Sequence, residues 1–307
     1  MSIALIIPDR KLDAVVTALQ QQLPDVTIEV WPEISQPDAV EFAVVWKQPT
    51  GAVASLPNLK ALQSFGAGVD SILSDLTLPA SLPLARIVDP HLTASMLEYL
   101  DTVLNYYRLR FDEFGANQQQ QLWKPRSPRK IRHLTVLGLG ELGSAAARHF
   151  AGLGYAVSGW SGRLHQIDGV QCFAGDHQFA EAVAEADLLI CLLPLTGATE
   201  NLLNEARLAQ LKTGAILVNV ARGAIVDDEA LLCALQTGKL AAACLDVFRV
   251  EPLPVEHPFW TTPGILLTPH ISAVTNADTA VAQIAENYRR VQAGLPLLNQ
   301  VDRTRGY

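Results

Sequence analysis

The stretch "LTVLGLGELGSAAARHF", residues 134–150, passes from an apolar strand pattern through Gly138, Gly140 and Gly143 into an alanine-rich helix pattern. In a dinucleotide-binding turn each glycine has its own physical reason. Gly138 suits the tight turn, Gly140 lets the backbone approach a pyrophosphate, and Gly143 lets the helix pack closely on the strand. The helix start, at Glu141 and Leu142, offers amide donors and the positive end of a helix dipole to phosphate. Such glycines also occur for packing alone. The strand before, the helix after and the further strand "YAVSGW" favour the dinucleotide reading.

Outward from that turn, short apolar runs alternate with helical patterns: "SIALII", "TIEVW", "FAVVW", "ADLLICLLP", "GAILVNVA" and "AAACLDV". Several are apolar on both faces, as strands covered by helices on each side of a parallel sheet must be. The pattern predicts a doubly wound α/β protein. A long amphipathic segment, "DPHLTASMLEYLDTVLNYYRLRF", begins at Asp89 and Pro90, and the polar, basic stretch "QQLWKPRSPRKIRH" leads from it into the glycine turn. "QQQQ" at 118–121 fits a helix face or the loop after it. A second helical run, "NADTAVAQIAENYRRVQAG", ends at Gly294, a suitable C-cap. The nucleotide-type unit is therefore expected over residues 96–275, with residues 1–95 and 276–307 forming the other domain.

The 307 residues carry a net charge of −8, with 49% hydrophobic and 18% charged residues, enough chain for two domains and a sizeable core. An acidic body attracts neither phosphate backbones nor anionic lipids, so no nucleic-acid or membrane partner is expected. A small anion remains open to a locally basic site. "MSIALIIPDR" lacks the basic start and cleavage site of a signal peptide, and no run is long enough to cross a bilayer. Cys172, Cys191, Cys233 and Cys244 show no CxxC spacing and read as reduced core thiols of a cytoplasmic protein. No metal site is expected.

Past the second strand of the central unit, "WSGR" places Ser161 and Arg163 where an NAD enzyme usually carries an acid for the ribose hydroxyls; the first acid afterwards is Asp168. A guanidinium and a hydroxyl can bind a 2′-phosphate that a carboxylate would repel. NADP is expected, NADPH being preferred and NAD the alternative, although Arg163 also fits a solvated loop charge. Three later strand-like runs each end in polar side chains. "ILVNVARG" delivers Arg222, "CLDVFRVEP" delivers Asp246 and Glu251, and "LLTPHISA" delivers His270. Ligands of open α/β sheets bind outside the carboxyl ends of the strands, where these residues can converge. An arginine, a carboxylate and a histidine are the parts needed to reduce a keto acid. The cation binds the carbonyl and carboxylate oxygens, the imidazolium gives a proton, and the carboxylate favours the charged ring. Singly, Arg222 also fits a loop ion pair, Glu251 a surface acid before Pro252, and His270 a structural histidine.

In these residues the sequence resembles the D-isomer specific 2-hydroxyacid dehydrogenase family over nearly its whole length. "SFGAGVDSIL", "LGLGELG", "LLPLTGAT", "LVNVARGAIVDDEALLCALQTGKLAAACLDVF", "EPLP" and "TPHISAVT" carry the resemblance. "VWKQP", "GAGVDSIL", "WSGR" and the terminal "QVDRTRGY" are similar to its glyoxylate/hydroxypyruvate reductase A branch. The resemblance implies a Rossmann dinucleotide-binding domain inserted in a flavodoxin-like substrate domain, substrate in the cleft between them, and a homodimer. It implies reduction of glyoxylate to glycolate and of hydroxypyruvate to D-glycerate. His270 would be the acid/base, Glu251 its partner and Arg222 the substrate-orienting cation. Asp246 would face the nicotinamide carboxamide, and Leu193, Pro194, Val220 and Ala221 would run beside the cofactor. Backbone N–H groups of the loop Gly66, Ala67, Gly68 and Val69 would take the substrate carboxylate, with Trp46 at the pocket.

Glycines give that loop an independent rationale, since they let backbone approach an anion. It equally fits a tight turn before a helix capped by Asp70. Trp46 also fits a hydrophobic boundary, and "CLLPLT" an apolar strand and its loop. The branch usually carries more than one basic residue after the second strand, where only Arg163, followed by His165, stands here. It gives no reason for His91, which reads as a surface or capping residue. A phosphorylated substrate would want further basic residues near the carboxylate loop, and "SFGAGVDSIL" has none. Two alternatives remain: another D-2-hydroxyacid dehydrogenase of different substrate, and a dinucleotide-sensing binding protein.

Overall fold

In the computed structural model, which describes residues 2–8 and 10–307, each of the quoted apolar runs forms a strand. Both resulting sheets are parallel throughout. The chain divides into two compact units, residues 1–92 with 275–307 and residues 93–274. The expected boundaries, after residues 95 and 275, lie a few positions from these.

The first unit holds β1 (Ser2–Ile6), α1 (Asp13–Gln22), β2 (Thr27–Val30), β3 (Val40–Val45), β4 (Ala61–Ser64), α2 (Asp70–Leu73) and β5 (Leu84–Ala85). Its strand order is β2-β1-β3-β4-β5, the flavodoxin-like arrangement, with the order reversing between β1 and β3. The central strands are buried on both faces because alternate side chains point to opposite layers. Ile3, Leu5, Phe42 and Val44 pack with Val15 and Leu19 of α1. Ala4, Ile6, Ala43 and Val45 pack with Ile72 of α2 on the other side. Each fully buried large aliphatic side chain of this kind contributes about 1.5–3 kcal/mol.

The second unit opens with α3 (Pro90–Arg108), whose first residues belong to the first unit, followed by α4 (Phe111–Gln119). Asp89 caps α3 by accepting the His91 N–H at 2.9 Å, while the His91 side chain is exposed. The single helical run expected here is broken at Arg110, which sits at φ 64°. The basic stretch that follows has no regular structure, and Arg129 ties it back to α4 through both oxygens of Asp112, at 2.8 and 2.6 Å.

The chain then continues through β6 (His133–Leu137), α5 (Glu141–Gly152), β7 (Ala156–Ser161), β8 (Val170–Ala174), α6 (Phe179–Val183) and β9 (Leu188–Cys191). After these come α7 (Glu205–Leu208), β10 (Ala215–Asn219), α8 (Asp228–Gln236), β11 (Leu240–Leu245) and β12 (Ile265–Leu267). The sheet order β12-β11-β10-β9-β6-β7-β8 is Rossmann-like, with its switch point between β6 and β9. Leu137, Leu189 and Leu217 face one core, and Val136, Ile190 and Val218 face the other. The chain returns to the first unit in α9 (Ala277–Gln292), capped by the Asn276 side chain on the Asp278 N–H. Gly294 follows that helix at φ 68°, a left-handed position where glycine carries no Cβ penalty.

Two expectations are corrected. Asp70 does not cap its helix; it is the first helical residue, and Val69 occupies the cap position with no side-chain bond. The cysteines are all free, but only Cys191 and Cys244 are buried. Cys233 is exposed because the face of α8 that packs inward carries Leu231 and Ala234.

Candidate active site

The glycine turn joins β6 to α5 with a separate role for each glycine. Gly138 lies at φ 96°, and a Cβ there would come 2.6 Å from the Leu192 carbonyl oxygen at the end of β9. A Cβ on Gly143 would collide with the Gly138 carbonyl oxygen, so helix and turn touch only because Gly143 has no side chain. At Gly140 a Cβ would meet nothing within 4 Å. Protein thus closes around two glycines and leaves the third facing open space. The first N–H groups of α5, at Glu141 and Leu142, precede its internal hydrogen-bonding ladder. Together they fit the pyrophosphate of a dinucleotide.

At the end of β7 the Ser161 hydroxyl donates to the Arg163 carbonyl at 2.7 Å, and Ser161 is 7% exposed. Its one proton is used inside the loop, so Ser161 shapes the turn while the Arg163 side chain remains exposed. Burial, and then the charge of Arg163, hold the nearby His165 below the ordinary imidazole range.

Three loops bring the acid–base residues together. Asn219, 1% exposed at the end of β10, accepts the Ala221 N–H at 3.1 Å and donates to the Arg222 carbonyl at 3.0 Å. It fixes the backbone from which Arg222 projects. Next along, a Cβ on Gly223 would collide with the Phe248 backbone, so glycine there lets the β10 and β11 loops close on each other. Glu251 accepts the Phe248 N–H on Oε1 at 3.1 Å, and its Oε2 lies 2.9 Å from His270 Nδ1. The Glu251 and His270 side chains are one-fifth and one-third exposed, so the pair is open to a ligand.

Asp246 is wholly buried and holds the histidine loop. Its Oδ1 accepts the Thr268 hydroxyl at 2.6 Å and the Ile271 N–H at 2.9 Å, and Oδ2 accepts the Ser272 N–H at 2.9 Å. Its backbone carbonyl accepts the His270 N–H at 2.8 Å. The carboxylate presents no surface, and these three protein donors hold it in the loop. Behind Thr268 stands Tyr99 of α3, with its hydroxyl 2.6 Å from Thr268 Oγ1 and 3.3 Å from Cys244 Sγ. Thr268 has one proton and gives it to Asp246, so the Tyr99 O–H donates to Thr268. Burial pushes the Cys244 thiol up to about 12 and the Tyr99 phenol up as well, so both stay protonated.

In the first unit, β4 leads into the loop 66–69. The fully buried Ser64 hydroxyl donates to the Gly68 carbonyl at 2.8 Å and accepts the Gly66 N–H at 3.2 Å. Among the described residues the N–H groups of Ala67, Gly68 and Val69 meet no protein acceptor. A Cβ on Gly66 would collide with the Trp46 ring, which therefore lies directly against the loop. Leu193, Val220 and Ala221 are buried at the ends of β9 and β10, with Pro194 half-buried beside them. Sequence reasoning missed Asn219, Ser64 and Tyr99. Asn219 is a polar residue closing a strand pattern just before a candidate loop, and Ser64 directly precedes the glycine loop; those positions were the only signal.

Among the described residues no group of three His, Cys, Asp or Glu side chains could hold a metal ion, and no helix is long and apolar enough to cross a membrane.

The NAD binding domain of the D-isomer specific 2-hydroxyacid dehydrogenases matches residues 101–272. A glyoxylate/hydroxypyruvate reductase A of Yersinia enterocolitica is 41% identical over 299 residues, 95% of either chain. A D-isomer specific 2-hydroxyacid dehydrogenase of Xanthobacter autotrophicus Py2, solved with NADPH and MES, superposes with a TM-score of 0.94 at 38% identity, covering 100% of this chain and 99% of that one. An NADPH-dependent glyoxylate/hydroxypyruvate reductase of Sinorhizobium meliloti, solved with NADP and sulfate, superposes with a TM-score of 0.92 at 30% identity over 100% of both chains. This chain belongs to the D-isomer specific 2-hydroxyacid dehydrogenase family. Within it, the protein is an NAD(P)-dependent enzyme homologous to glyoxylate/hydroxypyruvate reductase A, which sets aside the binding-protein alternative.

Proposed function

We propose that this dehydrogenase reduces glyoxylate to glycolate and hydroxypyruvate to D-glycerate, with NADPH preferred to NADH. The observation that carries the reading is the 2.9 Å contact between His270 Nδ1 and Glu251 Oε2. An ionised carboxylate has no proton to give, so Nδ1 is the donor in that bond. Nε2 is left as the atom that gives a proton to the keto oxygen, and takes one from the hydroxyl in the reverse reaction. Arg222 orients the keto acid through its oxygens, and its charge meets the negative charge that develops on the carbonyl oxygen. The unaccepted N–H groups of Ala67, Gly68 and Val69 take the carboxylate, with Trp46 beside them. NADPH, when bound, supplies the hydride to the keto carbon. Gly140, Glu141 and Leu142 would receive its pyrophosphate, Arg163 its 2′-phosphate, and Leu193, Pro194, Val220 and Ala221 would pack beside it. The NADPH and NADP in the two solved relatives support that preference.

A homodimer is part of the same reading. It is supported by Phe111, Leu122 and Trp123, apolar side chains exposed on α4 and just after it. The four free cysteines fit the reducing cytoplasm.

The test is the initial rate of cofactor oxidation with glyoxylate and with hydroxypyruvate, each supplied with NADPH and then NADH. NADPH-dependent turnover of both substrates is expected. Turnover confined to other keto acids would overturn the substrate assignment and leave the family unchanged. Arg163→Ala is expected to weaken NADPH while barely affecting NADH; an equal loss for both cofactors would remove Arg163 from 2′-phosphate recognition.

A further inference from the structure

A cation that the local sequence does not place at the carboxylate loop is brought there by the fold. Arg10 lies in the loop that follows β1, and its guanidinium carbon stands 5.9 Å from the centre of the Trp46 ring and 5.7 Å from that of Phe65. Trp46 follows β3, and Phe65 directly precedes Gly66. The β1 and β3 strand ends flank the switch point of this sheet, where ligands of flavodoxin-like folds bind. Gly66 in turn lies against the Trp46 ring. The guanidinium, the indole and the loop offered above as carboxylate receptor are thus consecutive contacts within one unit.

Two features give this cation a task beyond packing. Two aromatic rings restrict its position, which lowers the entropy cost of meeting an anion. Among the described residues no carboxylate pairs with Arg10, and the side chain is exposed, so its N–H fork is open to a ligand. A second, independent sign of a polar ligand is Gln48, two residues beyond Trp46. It is 8% exposed, and neither its amide nitrogen nor its amide oxygen has a partner among the described residues. A buried amide without partners is costly unless a ligand or water completes it.

We propose that Arg10 is a specificity residue of the substrate site and that it selects 2-keto acids carrying a second carboxylate. The proposal rests on the keto-acid reductase reading and deepens it. One carboxylate lies on the N–H groups of residues 67–69, and the second forms a charge-assisted pair with Arg10. Glyoxylate, with one carboxylate, leaves Arg10 unused.

The measurement is kcat/KM with NADPH for ketomalonate and oxaloacetate relative to glyoxylate, in the parent enzyme and in Arg10→Gln. The diacid-to-glyoxylate ratio is expected to fall about tenfold or more in Arg10→Gln, the size of one charge-assisted hydrogen bond. Arg10→Lys, which keeps the charge and loses the planar fork, should fall in between. An unchanged ratio would overturn the proposal, because a role confined to propping Trp46 lowers both substrates alike. Calorimetric titration of tartronate against glycolate, with NADP present, reads the same preference without turnover. If the parent reduced neither glyoxylate nor hydroxypyruvate, the reaction assigned above would fail. The tartronate titration would still decide Arg10, since equal tartronate affinity in parent and Arg10→Gln overturns it.

Discussion

His270 holds a left-handed backbone conformation, φ 55°, which costs a residue with a Cβ about 1–2 kcal/mol. The Asp246 carbonyl offsets that cost by accepting the His270 N–H at 2.8 Å, and the turn so fixed delivers Nδ1 to Glu251. His270→Ala is therefore expected to lower turnover by about 10²- to 10⁴-fold with cofactor binding nearly intact. Near-parental turnover in that variant would exclude His270 as the acid. Glu251→Gln replaces the charged partner of His270 Nδ1 by a neutral one. Its kcat is expected to fall about tenfold or more, as the loss of one charge-assisted hydrogen bond implies. Initial rates at saturating keto acid and NADPH check this, and a parental kcat would exclude Glu251 as the partner that orients the ring. Arg222, Glu251 and His270 were legible in sequence because each follows a strand pattern and each is chemically distinctive. Asp246 follows a strand too, yet its task was not legible, because its three donors come from residues 268–272 and meet it only across the β11–β12 edge.

Among the elements, α3 acts on the site through Tyr99. The hydrogen-bonded chain from Tyr99 through Thr268 to the Asp246 carboxylate links a helix to the loop that carries the acid, and burial keeps the Tyr99 phenol protonated. Thr268→Val removes a donor from a buried carboxylate, and turnover is expected to fall about tenfold, with kcat changing more than KM. Thr268→Ser should restore most of that loss, and Tyr99→Phe should cost less than Thr268→Val. A valine variant as active as the serine one would show that the chain does not position His270. The start of β6 depends on a different carboxylate. Asp187 accepts the Arg132 and His133 N–H groups at 2.8 and 3.1 Å and pairs with Lys212 at 2.6 Å. Burial works to raise this carboxyl, but these partners outweigh it and hold it below the usual carboxylate range. A lowered value in the folded state means that its stabilisation is present above the ordinary carboxylate pKa and is lost as pH falls through the folded value. Asp187→Asn should cost about 1–3 kcal/mol in denaturant unfolding at neutral pH, and the difference from the parent should shrink in acid. A constant difference down to pH ~3 would contradict that account.

For the molecule as a whole, self-association is open to a direct measurement. Trp123 is 98% exposed, and Phe111 and Leu122 are more than half exposed, so an apolar surface of this kind is expected to be covered in a dimer. Light scattering should give a mass near twice 33.2 kDa, and Trp123→Ser with Phe111→Ser should lower it toward one chain. A monomer at micromolar concentration would overturn the homodimer. The glycine turn, the strand runs and the order of the polar residues were determined by the sequence itself. A φ requirement, a period of two and a strand end are local properties, written in a few neighbouring residues. β4, β5 and β8 escaped that reading because they are short or mixed in polarity, and pairing with longer neighbours makes them strands. Which residues meet was decided only in the tertiary structure. β6 lies between β7 and β9, Arg10 stacks on Trp46 and Phe65, and Ser161 turns inward to the Arg163 carbonyl. Periodicity marks which face of an element is buried but leaves its partner open; that choice follows from covering both faces of every strand at once, through contacts between residues far apart in the chain.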